Sequence, residues 1–372
     1  MLITLKSIVP GRWFGPLFLG ACLAWSQAAQ SADTINGIAV IDKLDLQTLA
    51  RGQIHKFWFK AVDTNTGQSW NVPVIVNRGA QDGPRVLLNS GTHGDELNGI
   101  RVAQRIALTV DPATLKGTII AIPGLNTSGL LYGNRNFVLS RDGGYTSDLN
   151  RLMPGTANEG DLANRFVGRV WDGLWKGNVD YVIDLHAQSR GTAYPMFVYV
   201  DPRSEGARWM AETLAPDVIK YDSGEKGSAE TEFVRQGIPA VTFEIGRPGI
   251  WQTDLIERGY QGVYRVLAGL QMITAPTSPA ASSAKPFLGN QFTTLRASVG
   301  GYAELYVSLL DDVKSGQLLA RQINAFGDTV AEYKAPHDGR VLSIGDDPVR
   351  EPGTTIVRII RWNPQDSCKQ GC

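Results

Sequence analysis

The chain has 372 residues, of which 43% are hydrophobic and 19% are charged. This composition excludes a disordered protein, and the length predicts two domains or one large domain with a smaller one. Lys and Arg together number 36, as do Asp and Glu, so the formal net charge is zero. Because binding nucleic acid over a broad surface requires a basic excess, we expect no nucleic-acid partner.

Residues 1–32 have the order of parts that an export signal has. Lys6 and Arg12 supply a positive start, a short apolar stretch follows, and small polar residues end the segment. We therefore predict export, to the bacterial periplasm. Because the four residues ending at Cys22 (LGAC) resemble a lipobox, lipid anchoring at Cys22 is the alternative. Since no later stretch reaches about 18 consecutive apolar residues, we predict no transmembrane span.

Between residues 33 and 273, short apolar runs alternate with stretches of helical periodicity. The predicted strands are Arg85–Asn89, Thr118–Ile122, Tyr181–Leu185, Pro195–Val200 and Ala240–Ile245. The predicted helices are Glu96–Leu108, Leu162–Trp175, Glu230–Gln236 and Asp254–Met272. Such alternation predicts a layered α/β domain with a mainly parallel sheet.

A change of composition ends this domain. Residues 274–286 (TAPTSPAASSAKP) are rich in Pro, Ala and Ser, which predicts a linker. The following runs are short, strand-like and separated by glycines, so residues 287–362 are predicted to form a small all-β domain, followed by a tail over residues 363–372. The predicted strands are Phe292–Ala297, Ala303–Val307, Leu318–Asn324, Thr329–Ala335, Arg340–Ile344 and Thr355–Ile360. Whether Cys368 and Cys372 pair in the tail stays open.

Metal-binding and acid–base side chains follow or end the predicted strands. His93 and Glu96 come directly after Arg85–Asn89, and a first helical turn places residues three apart side by side. His186 ends the run YVIDLH, and Glu244 lies inside the apolar run AVTFEI. Functional groups of open α/β sheets gather at the carboxyl ends of strands. Two histidines and one glutamate are a ligand set of catalytic zinc, and a carboxylate in an apolar strand suits a general base.

Each of these residues also has a purely structural interpretation. The acidic Asp95 and Glu96 could serve only to stabilise a helix N-terminus. His186 could be an ordinary buried histidine, with Asp184 on the same side of the strand accepting its ring N–H. Glu244 could form an ion pair with Arg247.

Four polar residues between positions 135 and 151 are candidates for contacts with a substrate. Asn150 and Arg151 are adjacent on a predicted loop, where an amide and a planar guanidinium can bind a carboxylate together. The alternative is a surface turn with a solvated arginine. Arg135 and Arg141 lie upstream, and one of them could stabilise an oxyanion.

Taken together, these segments resemble the succinylglutamate desuccinylase/aspartoacylase family, which is related to the zinc carboxypeptidases. The matching pieces are GTHGDE (91–96), IPGLN (122–126), DLNR with its trailing PG (148–155), DLH (184–186) and TFEIG (242–246). The resemblance implies a zinc-carboxypeptidase-like α/β/α sandwich with a mixed, mainly parallel sheet. It also implies one zinc ion per chain and hydrolysis of the amide bond of a small N-acyl amino acid.

The resemblance assigns a role to each candidate. The zinc ligands would be His93, Glu96 and His186, and Glu244 would act first as general base and then as general acid. Asn150 and Arg151 would bind the substrate carboxylate. Arg141 would stabilise the oxyanion, with Arg135 as the alternative. His55 and His337 receive no role. The C-terminal β domain resembles a biotinyl/lipoyl hammerhead without its modified lysine, so it would cap the site rather than carry a group.

Three functions are compatible with these motifs. The first is an exported zinc deacylase of N-acyl amino acids. The second is an exported zinc carboxypeptidase acting on peptides or cell-wall peptides, and the third is a binding protein that kept the fold without catalysis. The sequence leaves the acyl group, the amino acid and the oligomeric state open.

Overall fold

The computed structural model describes residues 33–139, 145–274 and 285–365. The predicted export signal, the core of the predicted linker and most of the predicted tail therefore lie outside the described residues, as do Cys22, Arg141, Cys368 and Cys372. From Thr34 onward, the described residues form one compact unit. None of their helices is both long enough and apolar enough to cross a bilayer.

The elements of the described residues follow in chain order. The strands are β1 (Thr34–Ile35), β2 (Ile38–Ile41), β3 (Gln53–Asp63), β4 (Ser69–Arg78), β5 (Gln81–Ser90), β6 (Lys116–Pro123), β7 (Phe137–Val138), β8 (Thr146–Ser147), β9 (Tyr181–His186), β10 (Thr192–Ala193), β11 (Met196–Val200), β12 (Val218–Tyr221), β13 (Ala240–Ile245), β14 (Phe287–Gly289), β15 (Gln291–Arg296), β16 (Gly301–Leu305), β17 (Asp312–Val313), β18 (Leu318–Ile323), β19 (Thr329–Lys334), β20 (Gly339–Gly345), β21 (Val349–Arg350) and β22 (Thr355–Arg361). The α-helices are α1 (Leu97–Thr109), α2 (Thr127–Tyr132), α3 (Leu162–Val170), α4 (Glu205–Leu214), α5 (Ala229–Arg235) and α6 (Thr253–Gly269).

An 11-stranded sheet organises the molecule, in the order β1-β2-β3-β4-β6-β5-β9-β13-β11-β12-β14. Its centre, from β6 through β5 and β9 to β13, is parallel, whereas β4 and β11 run antiparallel to their central neighbours. Helices cover both faces because the strands are apolar on both sides: Leu87 packs with α3 and α5, and Leu88 with α1, α4 and α6. The predicted α/β fold with a mixed, mainly parallel sheet is confirmed.

Strand alternation decides which side chains reach the site. Ile183 and Leu185 of β9 pack into the core formed with α1, so Asp184 and His186 point to the opposite face. Phe243 of β13 enters the same core, so Glu244 shares a face with His186. The parallel register pairs Glu244 directly with His186. The site therefore forms where two neighbouring buried strands end.

The C-terminal strands form two further sheets. One has the order β10-β20-β22-β15, with β17 beside β20, and the other has the order β19-β18-β16-β21. The expected all-β region is thus present. It is joined to the α/β part twice, because β14 extends the main sheet beside β12 and β10 pairs with β20. Its separation into a domain at residues 287–362 stays a proposal.

Several parts of the main domain differ from expectation. The predicted helix Leu162–Trp175 is α-helical only to Val170 and continues as a π-helical turn over Trp171–Trp175. Within that turn the carbonyl of Gly173 accepts a hydrogen bond from the N–H of Leu44, at 2.8 Å. Since the last carbonyls of a helix have no partner within it, this contact satisfies the Gly173 carbonyl from a distant part of the chain. In addition, the predicted elements omit β1–β4 and the start of β5 before Arg85, and they omit α2, α4 and β12 further along the chain.

Candidate metal centre

The turn after β5 delivers His93 and Glu96 to the end of the sheet. Gly94 packs so tightly against α2 that a Cβ there would lie 2.1 Å from the carbonyl carbon of Gly129. Glu96 precedes the first residue of α1 but makes no side-chain capping bond to it. Its carboxylate is therefore free to face the sheet, although the residue is only 1% exposed.

Three buried side chains converge on one point. The Nδ1 atom of His93 lies 2.8 Å from Oε1 of Glu96, and the Nδ1 atom of His186 lies 2.9 Å from Oε2 of the same carboxylate. The two Nδ1 atoms are 3.2 Å apart. All the donor atoms lie within 4.8 Å of one another, which makes this trio a candidate metal site. A single small cation can bind all three donors at these separations.

Each histidine is oriented by a carboxylate on its other nitrogen. The Nε2 atom of His186 is 2.8 Å from Oδ2 of Asp184, and the Nε2 atom of His93 is 3.1 Å from Oδ1 of Asp148. Asp184 is fully buried and also accepts a hydrogen bond from the side-chain amide of Asn89. Because a carboxylate acceptor requires the proton on Nε2, the neutral form of each ring turns its Nδ1 lone pair toward the cluster.

The electrostatics of the cluster suit a cation. Burial opposes the ionisation of Glu96, but His93 and His186 hold its pKa well below the usual range. Burial also disfavours a charged His186, yet Asp184 and Glu96 raise its pKa well above the ordinary value. Asp148 likewise keeps a lowered pKa despite partial burial, chiefly through its hydrogen bond to His93. Glu96 and Asp148 thus remain ionised beside the two imidazoles.

Glu244 lies beside this cluster and is 4% exposed. Its Oε1 atom accepts a hydrogen bond of 2.6 Å from the side-chain amide of Gln188, and its buried Oε2 atom has no partner among the described residues. Burial raises the pKa of Glu244 to about 7. The alternative ion pair with Arg247 is not formed, because Arg247 pairs with Asp346 at 2.8 Å. Glu244 therefore has the environment of a proton-transfer group.

Of the four polar candidates between positions 135 and 151, three are described. Arg135 contacts the ligand set directly, because its Nη1 donates to Oε1 of Glu96 at 2.6 Å. Asn150 is buried and its side-chain oxygen accepts from the N–H of Ala229 at 3.0 Å. Arg151 is half-exposed and lies 3.9 Å from Glu225.

Histidines without an expected role stay outside the cluster. His55 bonds to the carbonyl of Ala50, and His337 bonds to the hydroxyl of Thr293.

Two functional neighbours were not expected from the sequence. Asp148 belongs to the DLNR motif, but the sequence alone gives it no role of its own. Gln188 follows His186 by two residues, and nothing in the sequence pattern connects it to Glu244.

Comparison with known proteins agrees with this geometry. The profile of the succinylglutamate desuccinylase/aspartoacylase catalytic domain matches residues 82–270, so the chain belongs to that family. The chain is 27% identical over 309 residues to an N-alpha-acetyl-L-2,4-diaminobutyric acid deacetylase of Halomonas elongata, a match that covers 78% of this chain and 86% of that protein.

Solved structures share the fold. A product-bound structure of the ectoine utilization protein EutE (DoeB) from Ruegeria pomeroyi has a TM-score of 0.72 at 20% identity, covering 84% of this chain and 96% of that one. A succinylglutamate desuccinylase/aspartoacylase from Rhodobacter sphaeroides has a TM-score of 0.72 at 19% identity, covering 86% and 99%. At these identities the likeness concerns architecture.

Proposed function

We propose that this protein is a zinc-dependent deacylase that hydrolyses the amide bond of an N-acyl amino acid. The observation that carries the proposal is the convergence of His93, Glu96 and His186 beside a buried Glu244. Membership of a family of deacylases supports it, as does the similarity to the Halomonas deacetylase. None of the relatives named above is a peptidase, so the carboxypeptidase alternative gains no support.

The three ligands fit zinc. Two histidines and one glutamate form a donor set that catalytic zinc sites use, with a fourth position left for water. Zinc–ligand bonds of about 2.0–2.1 Å at the tetrahedral angle separate neighbouring donors by about 3.3 Å. The observed separations of 2.8 to 3.2 Å lie close to that value. When bound, the zinc ion would supply a Lewis acid that polarises the scissile carbonyl and acidifies a water molecule.

The remaining chemistry belongs to the chain. Glu244 accepts a proton from the attacking water on its unpartnered Oε2 atom, while Gln188 holds Oε1, and then delivers the proton to the leaving nitrogen. Asp184 and Asp148 keep the two histidine rings oriented. Arg135 contributes positive charge beside Glu96, where an oxyanion would be stabilised. Arg141, which lies outside the described residues, is the other candidate for that role.

The test is hydrolysis by the zinc-loaded protein and by the Glu244→Gln variant. We expect amine release from a panel of N-acetyl and N-succinyl amino acids. The variant should retain stoichiometric zinc and lose about 10²- to 10⁴-fold in kcat. Exposed Glu212→Gln is the matched control, with kcat unchanged. Undiminished turnover by Glu244→Gln would refute the role of Glu244, and cleavage of muropeptides alone would favour the peptidase.

A further inference from the structure

The C-terminal sheet presents one face to the metal-bearing face of the main sheet. On β20 and β22, Leu342 and Ile360 pack in one cluster with Phe197 of β11 and Val218 of β12. Arg358 lies two residues before Ile360 on β22, so its side chain points to the same side. The C-terminal strands therefore direct an arginine at the part of the main sheet that flanks Glu244.

The main sheet meets this arginine with aromatic rings. The antiparallel register of β11 and β13 places Phe197 directly opposite Glu244. Tyr199 follows on the same face, with its ring centroid 5.0 Å from that of Phe197. Tyr194 stacks on Phe197, with the ring centroids 5.7 Å apart. An aromatic surface thus begins one strand away from Glu244.

Arg358 lies over these rings with an unused hydrogen-bonding edge. Its guanidinium carbon is 5.4 Å from the ring centroid of Phe292 and 6.0 Å from that of Tyr194. Its Nε atom donates to the hydroxyl of Thr294 at 3.0 Å. Within the described residues, its terminal nitrogens have no hydrogen-bond partner and no carboxylate pairs with it. Since two rings and Thr294 hold the planar group, the free edge is oriented for a bidentate anion.

A neighbouring cation shows the contrast. Lys220 also lies over Phe292, at 5.0 Å, but its ammonium group is bonded to Asp222 at 2.7 Å. Its charge is therefore already compensated inside the protein. The charge of Arg358, by contrast, is not compensated by a carboxylate among the described residues. The side chains of Arg358, Tyr199 and Phe292 also remain partly accessible to solvent, although most of the strands around them are buried.

Both Glu244 and Arg358 affect the pKa of the Tyr199 hydroxyl. Burial raises its pKa well above the usual value, Glu244 adds to that rise, and Arg358 acts in the opposite direction. In the structure, Tyr199 packs on Phe197, the strand partner of Glu244, and its ring centroid is 6.1 Å from that of Phe292, over which Arg358 lies. A continuous set of aromatic contacts therefore connects the arginine with the strand that neighbours Glu244.

We propose that Arg358 binds a carboxylate of the substrate and thereby makes the C-terminal β region a determinant of specificity. This inference rests on the proposed deacylase function. The sequence predicts Asn150 and Arg151 for this contact, but Arg151 is half-exposed and directed toward Glu225. Arg358 would therefore share the binding of the substrate carboxylate with these two residues.

The experiment compares Arg358→Gln, Arg358→Lys and the control Arg296→Gln, which removes an exposed charge from the same sheet. Substrates are the N-acetyl amino acid that the wild type hydrolyses best and analogues in which a carboxylate is replaced by a carboxamide. We expect Arg358→Gln to raise KM for the acid about 10- to 100-fold with kcat nearly unchanged. The preference for acid over amide should collapse, Arg358→Lys should recover part of it, and Arg296→Gln should match the wild type.

Calorimetric titration of the acid into Glu244→Gln, with and without Arg358→Gln, measures binding without turnover. Weaker binding in the double variant supports the inference even where hydrolysis is slow. An unchanged KM, or an equal loss of kcat for acid and amide together with a lower Tm, would overturn it and leave the deacylase intact. If the wild type neither hydrolyses nor binds any acid of the panel, the proposed function and this inference fail together.

Discussion

The carboxylates behind the two histidines should differ in their importance for metal binding. Asp184 is fully buried and accepts from two donors, the Nε2–H of His186 at 2.8 Å and the side-chain amide of Asn89 at 2.7 Å. An amide at this position has one acceptor oxygen, so Asp184→Asn leaves one of these buried donors facing an NH₂ group. Asp148 is 27% exposed on its side chain and uses only Oδ1 for His93.

The magnitudes follow from this difference. Replacing a carboxylate behind a metal-binding histidine costs about 10- to 100-fold in metal affinity, or about 1.4 to 2.8 kcal/mol. An unsatisfied buried donor costs about 1–3 kcal/mol. We therefore expect Asp184→Asn to lower zinc affinity by about 100-fold. Asp148→Asn can keep its oxygen on His93 and turn its NH₂ to solvent, so its loss should not exceed about tenfold.

The assay is competition for zinc with a chromogenic chelator at pH 7. Circular dichroism on the same samples establishes that each variant is folded. Asp172→Asn, which changes a carboxylate that is 56% exposed, is the control and should bind zinc as the wild type does. Equal losses in Asp184→Asn and Asp148→Asn, or a wild-type affinity in Asp184→Asn, would refute this reasoning.

Two further predictions concern Glu244 and the turn after β5 that contains His93 and Glu96. Glu244 accepts a proton only when ionised, so kcat/KM should fall as the pH drops below about 7. The Gln188→Leu substitution removes the amide donor to Glu244, so the pH at which kcat/KM begins to fall should be higher in this variant. An identical pH–rate profile in the variant would contradict the role of Gln188. Gly94→Ala must displace the backbone of α2 and should lower the free energy of unfolding in urea by about 1–3 kcal/mol, with weaker zinc binding. Gly300→Ala, which meets nothing within 4 Å, is its control; equal stability of the two variants would contradict the packing argument.

The strands of the sheet centre were predictable because their signal is local. The strand Ala240–Ile245 has the bounds that its apolar run predicts, since it is buried on both faces between Pro239 and Gly246. By contrast, β14 is three residues long and becomes a strand only by pairing with β12, which is distant in sequence. Periodicity within so short a segment carries no information about that partner.

The same distinction applies to the site. His93, Glu96 and His186 were accessible to sequence reasoning because each lies in a short motif at the end of a strand. The contact of Gln188 with Glu244 depends on a loop conformation after β9. The position of Arg358 depends on how two sheets pack, and its own segment is a mainly apolar strand that is buried on both faces. Residues that act across an interface therefore have no sequence signal until the fold is known.

Strand register connects these levels. Glu244 lies between His186 on one neighbouring strand and Phe197 on the other, and all three point to the same face. A slip of β13 by one residue would turn Glu244 into the core formed with α1 and bring Phe243 to the site. Burying an ionisable group there would be costly, while Phe243 and Ile245 gain by facing that core. The apolar residues on either side of Glu244 thus hold the register that places it beside the metal ligands.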